Sequence, residues 1–255
     1  MRRLDGQQAF VTGAAGGIGS LVAGGLAALG AQVTGIDRVL CPSCHHTMVS
    51  DLCDDAALAA LAADLAARRV DILANIAGMQ YFGPLESQPS AAIWRGYAVN
   101  LIAPATLIGA VLPQMRRRGA GQVVNLGSVM GAINFPFFAT YSSSKAGLRG
   151  LSEGLRREVA GQGIAVTHIA PRAVRTAFNN AEVNRFMALT GMAADDPAVV
   201  AQRIVRAIAA REKDVSIGVK ERLFIQLNAV MPRLIDAGLA GQTAKARTMF
   251  PLPVE

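Results

Sequence analysis

The chain has 255 residues, 52% of them hydrophobic and only 5% aromatic, and a formal charge of +7. That length suits one large domain with a well-buried core, and an apolar set of Ala, Val, Ile and Leu suits parallel strands covered by small-residue helices. No run approaches the roughly 20 apolar residues of a membrane span, and the first six residues lack the apolar core of a signal peptide, so a cytoplasmic location is expected.

Residues 8–12 form a short apolar run that predicts a strand. The glycine-rich segment Gly13, Gly16, Gly17, Gly19 follows, then an Ala/Leu-rich helix closed by Gly30. A glycine turn between strand and helix lets a pyrophosphate approach the backbone, and the helix start supplies free N–H groups. A second strand spans 32–37 and ends in Asp37, 18 residues past Gly19, near the separation at which a carboxylate reaches a ribose diol. Such a carboxylate repels a 2′-phosphate, which points to NAD. Arg38, beside it, is the one residue that would welcome that phosphate.

Cys41, Cys44 and Cys53 are the three cysteines, an odd number that favours free thiols. Cys41-x-x-Cys44-His45-His46 matches a haem-attachment or half-zinc pattern. No second such pair follows, so a polar loop is expected and no metal. A third strand is predicted over 47–51, where Asp51 either meets an adenine amino group or caps the next helix. Helix 56–69 and strand 71–75 come next, the strand ending in Asn75, Ile76, Ala77 and Gly78.

A long helix is predicted over 92–117. The Arg116–Arg118 run at its end complements the helix dipole, and no aromatic residue interleaves with it, so nucleic acid is not an expected partner. Asn100 sits on an apolar face of this helix, and the sequence leaves open whether it satisfies a backbone carbonyl or holds a water or a lysine.

The fifth strand, 122–126, leads to Ser128. Tyr141 follows 13 residues later and Lys145 four after that. In a helix over 141–162 the last two share a face. A free phenol, with a pKa of about 10, is a poor base, and a nearby ammonium would pull it down toward neutral pH. Taken alone, Tyr-x-x-x-Lys also fits an ordinary exposed helix pair. A strand over 164–169, an irregular segment through 178–192, a helix over 197–211 and a strand over 214–219 complete the core. The alternation predicts an α/β, single-domain, Rossmann-type doubly wound parallel sheet, with core 5–219. Residues 220–255 form a basic, amphipathic helical extension, expected to pack on its own domain or a partner more often than on a membrane.

With these residues in hand, the chain resembles the classical short-chain dehydrogenase/reductase family over roughly residues 5–219. The resemblance rests on Thr12-Gly13-x-x-x-Gly17-x-Gly19, Asp51, Asn75-x-Ala77-Gly78, Asn100, Ser128, Tyr141-x-x-x-Lys145 and the 171–176 turn. It implies a nicotinamide cofactor lying on Gly13, Gly17, Ile18, Gly19, Asp37, Asp51, Leu52, Asn75, Ala77, Gly78, Tyr141, Lys145 and Thr176. It implies Tyr141 as acid/base, Ser128 as the group that orients the substrate oxygen, Lys145 as the cation that lowers the tyrosine pKa, and Asn100 as holder of a water. A homodimer or homotetramer is implied as well, pairing through the helices that begin near Ala92 and Tyr141. Ile76, Arg172 (where the family has Gly) and the long extension depart from the pattern.

The expected activity is NAD(H)-dependent interconversion of a secondary alcohol and a ketone. The apolar segments 79–82, 130–138 and 178–192 favour a small but bulky hydrophobic substrate, steroid-, terpenoid- or acyl-like. A 3-ketoacyl thioester reductase, with Arg172 or the basic tail greeting an acidic carrier, is the alternative enzyme. A non-catalytic NAD-sensing or lipid-surface binding protein is the alternative from another class.

Overall fold

The structure, a computed structural model, describes residues 2–250, the side chain of Val219 excepted. Seven parallel strands form one sheet in the order β3-β2-β1-β4-β5-β6-β7. They are β1 (Gln8–Thr12), β2 (Gln32–Asp37), β3 (His46–Val49), β4 (Ile72–Asn75), β5 (Gly121–Leu126), β6 (Ile164–Ala170) and β7 (Asp214–Ser216). The order reverses between β1 and β4, which opens a crevice at the carboxyl ends of those two strands.

Successive strand residues face opposite sides of the sheet, so each strand feeds two cores. Ala9 and Val11, with Ile72 and Ala74, pack under α1 (Gly17–Ala28) and α7 (Pro197–Ala210). Phe10 and Leu73 pack on the other side, under α2 (Asp55–Ala67) and α4 (Ala103–Arg118). Helices thus cover both faces, as the apolar strand runs predicted. Gly25 lets α1 press against α7: a Cβ there would lie 2.7 Å from Val205.

The helix predicted over 92–117 is three pieces in line. These are α3 (Ser90–Tyr97), a π-helical turn (Ala98–Ile102) and α4. By length and composition Ser90–Arg118 is long and apolar enough to cross a membrane, contrary to the expectation that no run approaches that length. Here its apolar side, Leu107, Val111 and Met115, lies against the sheet. β3 starts one residue earlier than predicted and stops before Asp51. Asp54, not Asp51, caps α2 by accepting from the Ala57 N–H at 2.7 Å. α5 spans Ala139–Glu158.

The segment predicted as irregular contains α6 (Ala181–Thr190). Its start is signalled by Asn180, which caps Val183, and its end by Gly191 in the left-handed region. The extension folds as α8 (Val219–Val230) and α9 (Pro232–Arg247), packed on the body. Asn228 donates to the Ala132 carbonyl, and Lys245 donates to the Leu189 carbonyl. Residues 251–255 of the predicted extension lie outside the described residues.

Candidate active site

A cavity of about 940 Å³ opens along the carboxyl ends of the strands. One end is the turn after β1. Gly13 has φ +70°, and a Cβ on it would lie 2.7 Å from the Ala77 backbone. A Cβ on Gly19 would lie 2.0 Å from the Gly13 carbonyl oxygen. Only glycine fits at either place, and the turn therefore presents bare backbone beside the start of α1. That start carries no side-chain cap and no acidic residue, which suits an anionic group. Thr12 fixes the turn to the neighbouring strand, its hydroxyl accepting from the N–H groups of Ile76 and Ala77 at 3.0 and 3.1 Å.

Asp37 sits at the end of β2 on the cavity wall. Its carboxylate accepts from the Ala15 N–H at 3.0 Å and the Arg38 N–H at 2.7 Å. Ile18, Asp51, Leu52, Ala77 and Gly78 line the same end, and Thr176 reaches it from the turn after β6, its methyl against Gly17. Asn75 does not line the cavity. It is buried, and its amide donates to the Asn125 oxygen at 2.8 Å across the β4–β5 pair. That bond ties the two strand ends together.

The chemical groups come from two elements. Ser128 follows β5, and its hydroxyl accepts from the Met130 N–H at 3.1 Å, which leaves its own proton free to donate. Tyr141 and Lys145 sit one turn apart on α5, both lining the cavity and both buried. Lys145 Nζ donates to the Leu126 carbonyl at 2.8 Å and lies 6.0 Å from the Tyr141 ring centre.

In this geometry burial dominates the titration of both Tyr141 and Lys145. Burial pushes Tyr141 up to about 12, opposed only by the Ser128 hydroxyl. Burial likewise pulls Lys145 down to about 8. Desolvation is the largest cause for both groups.

Asn100 lies in the π-helical turn and does not line the cavity. Both hydrogens of its amide are committed, one to the Met79 carbonyl at 2.8 Å and one to Ser144 Oγ at 2.9 Å. Its oxygen accepts from the Met79 N–H at 2.9 Å. The side chain thus anchors the turn after Gly78. Ser144, which the sequence reading passed over, carries the link onward by donating to the Tyr141 carbonyl at 2.7 Å. Its position at Tyr141+3, on the inner face of the same helix, was the available signal.

The other end of the cavity is apolar, walled by Ile133, Phe138, Phe186, Met187, Phe224 and Leu239 among others. Arg172 lines it too, but is paired. It donates to both Asp195 oxygens at 2.9 and 2.6 Å and to Glu221 at 3.3 Å. Away from the cavity's chemistry, Cys41 and Cys44 both pack on Gly35, and burial raises both thiols, Cys44 to about 11. His45 accepts from the Val33 N–H. Among the described residues no three His, Cys, Asp or Glu side chains gather as a metal site.

A sequence profile described as short chain dehydrogenase matches residues 7–185. The chain belongs to the short-chain dehydrogenase family. It is 30% identical over 211 residues to dehydrogenase/reductase SDR family member 7B of Danio rerio, a match covering 78% of this chain and 67% of that protein. A solved short-chain dehydrogenase from Streptomyces avermitilis superposes with a TM-score of 0.76 at 30% identity, covering 96% of this chain and 98% of the other. One from Sphingobium yanoikuyae, in complex with NADPH, gives 0.77 at 26%, covering 90% and 95%. Family membership makes this chain an oxidoreductase with a nicotinamide dinucleotide cofactor, of the kind that acts on CH–OH groups.

Proposed function

We propose that this dehydrogenase uses NAD(H) to interconvert a secondary alcohol and a ketone on a bulky apolar substrate. The observation that carries the proposal is the placement of the buried Tyr141 phenol. It stands with Ser128 and Lys145 on the wall of one cavity that runs from a glycine turn and Asp37 to a ring of aliphatic and aromatic side chains.

The dinucleotide fits the residues present: Gly13 and Gly19 leave the backbone open, Asp37 offers a carboxylate to a ribose diol, and Thr176 closes on Gly17. When bound, the nicotinamide supplies or takes up the hydride. The chain's own part is positioning and proton transfer. Ser128 donates a hydrogen bond to the substrate oxygen. Tyr141, neutral over the physiological range with its pKa at about 12, gives its proton to that oxygen as negative charge develops there. Lys145 keeps two ammonium hydrogens beyond the one given to Leu126, available to ribose hydroxyls.

The alternative acyl-carrier reading loses one support, because the Arg172 guanidinium is already neutralised by Asp195 and Glu221. The preference for NAD rests on Asp37. A fluorescence titration with NADH and NADPH tests it. NADH binding at least tenfold tighter, about 1.4 kcal/mol, is expected. Equal or tighter NADPH binding, as the solved NADPH complex of the Sphingobium yanoikuyae protein would suggest, gives Arg38 the upper hand and overturns it. For the chemistry, Tyr141→Phe is expected to lose turnover and keep NADH binding; wild-type turnover by that variant would sink the mechanism.

A further inference from the structure

The substrate end of the cavity is lined mostly by carbon, and its polar side chains are almost all occupied within the protein. Gln80 donates to the Phe178 carbonyl and to Asn179. Asn179 donates in turn to the Val174 carbonyl, and Thr190 donates to the Phe186 carbonyl. Arg172 and Glu221 hold each other. Gln242, on α9, is the exception. It lines the cavity, yet makes no side-chain hydrogen bond among the described residues, and its amide oxygen is sealed from solvent without a partner.

Its place on the helix sharpens the anomaly. Ile235, Leu239, Gln242 and Ala246 follow one another at intervals of four, three and four, which is one face of α9. That face turns inward: Ile235 and Ala246 are buried, and Leu239 packs beside Ile235. A glutamine in an otherwise apolar inward stripe costs stability when its amide is left unpaired, by roughly 1–3 kcal/mol. Leucine or methionine would fill the position without that cost.

We propose that the Gln242 amide is a specificity contact for a second, neutral hydrogen-bonding group of the substrate. The substrate class is then an apolar ketone or alcohol that carries a hydroxyl or similar group away from the reacting carbon. Tyr141 and Ser128 address the reacting oxygen, and Gln242, on α9 with Leu239 at the apolar end of the cavity, is assigned to another part of the molecule. A neutral amide offers both a donor and an acceptor but no charge, which selects hydroxyl or carbonyl over carboxylate or amine. This inference rests on the bulky-ketone reading above.

The test uses matched probe ketones on androstane and decalin skeletons, each with and without one hydroxyl remote from the carbonyl. The readout is kcat/KM for each, with wild type and Gln242→Met. Wild type is expected to favour at least one hydroxylated probe over its plain partner by tenfold or more. Gln242→Met is expected to erase most of that ratio, change the plain ketones less than twofold, and melt no lower than wild type. Turnover of the probes with no hydroxyl preference in wild type, or with a preference that survives in Gln242→Met, overturns the inference alone. Turnover of none of the probes overturns the bulky-ketone reading, and this inference falls with it.

Discussion

Three glycines near the start of α1 make different predictions because their surroundings differ. A methyl on Gly19 would sit 2.0 Å from the Gly13 carbonyl oxygen and 2.7 Å from its carbon. Gly13 cannot yield: its N–H is held by the Ile36 carbonyl, its oxygen accepts from the Gly16 N–H, and its φ is +70°. Gly19→Ala must therefore move the first turn of α1 away from the β1 turn, displacing the N–H groups offered to a pyrophosphate. A hydrogen bond to a charged group contributes about 1.5–3 kcal/mol, so losing one of them predicts NADH binding weakened about tenfold or more. Gly17→Ala meets only the Thr176 methyl, at 2.9 Å, and is expected to weaken binding less, since a side chain can turn aside. Gly24, in the same helix, is exposed with nothing within 4 Å. Gly24→Ala is expected to leave binding alone and to raise stability by about 0.8–1 kcal/mol, or roughly 2–4 °C in Tm. Fluorescence titration with NADH and a thermal melt read all three. Wild-type affinity in Gly19→Ala would refute the reasoning, as would loss of binding in Gly24→Ala.

Lys145 gives a prediction with a sign. Its folded pKa of about 8 lies below the ordinary lysine value of 10.5, so the folded chain binds fewer protons between those values. Its contribution to stability is complete above about 10.5 and is lost as pH falls through about 8, up to about 3 kcal/mol. Lys145→Met is therefore expected to melt higher relative to wild type at pH 7 than at pH 10; a Tm difference that ignores pH would contradict the burial argument. Ser144→Ala leaves a buried Asn100 hydrogen unpaired, at about 1–3 kcal/mol. Differential scanning calorimetry should show the lower Tm, with kcat falling more than NADH affinity; an unchanged Tm would remove Ser144 from the link. Arg172→Gly should speed tryptic cleavage in the extension while NADH affinity stays within about twofold, and unaltered digestion would mean the extension holds without it.

How much of this was legible depends on the range of the interaction. Strand runs and the glycine turn are local patterns, and β1, β2 and β5 lie within a residue of where the apolar runs put them. Ser128, Tyr141 and Lys145 were found because a helix fixes two of them and a strand end fixes the third. Burial is not local: the closeness of Tyr141 and Lys145 follows from the i, i+4 spacing, but the desolvation of the phenol follows from the packed Phe138 and Phe186 around it. The partner of Asn75 was not legible for the same reason, since Asn125 is 50 residues away and met only through the β4–β5 register. α6 is a different kind of miss. Its Asn180 and Gly191 boundary signals stood in the sequence, but its apolar residues did not form a stripe regular enough to outweigh the surrounding loop residues.

The two departures from the family pattern that looked separate in the sequence, Arg172 and the long extension, are one arrangement. Arg172 sits in the turn after β6, and Glu221 sits in the first turn of α8. The guanidinium holds Glu221 with one nitrogen and grips Asp195 with two others. A glycine at 172 would leave two carboxylates beside the cavity without their cation, and an extension without Glu221 would leave the arginine short of one partner. The first change leaves partly buried charge uncompensated; with both residues present, the ion pairs join α8 to the turn that also carries Thr176. The apolar wall that meets the substrate is thereby tied to the segment that closes on the glycine turn.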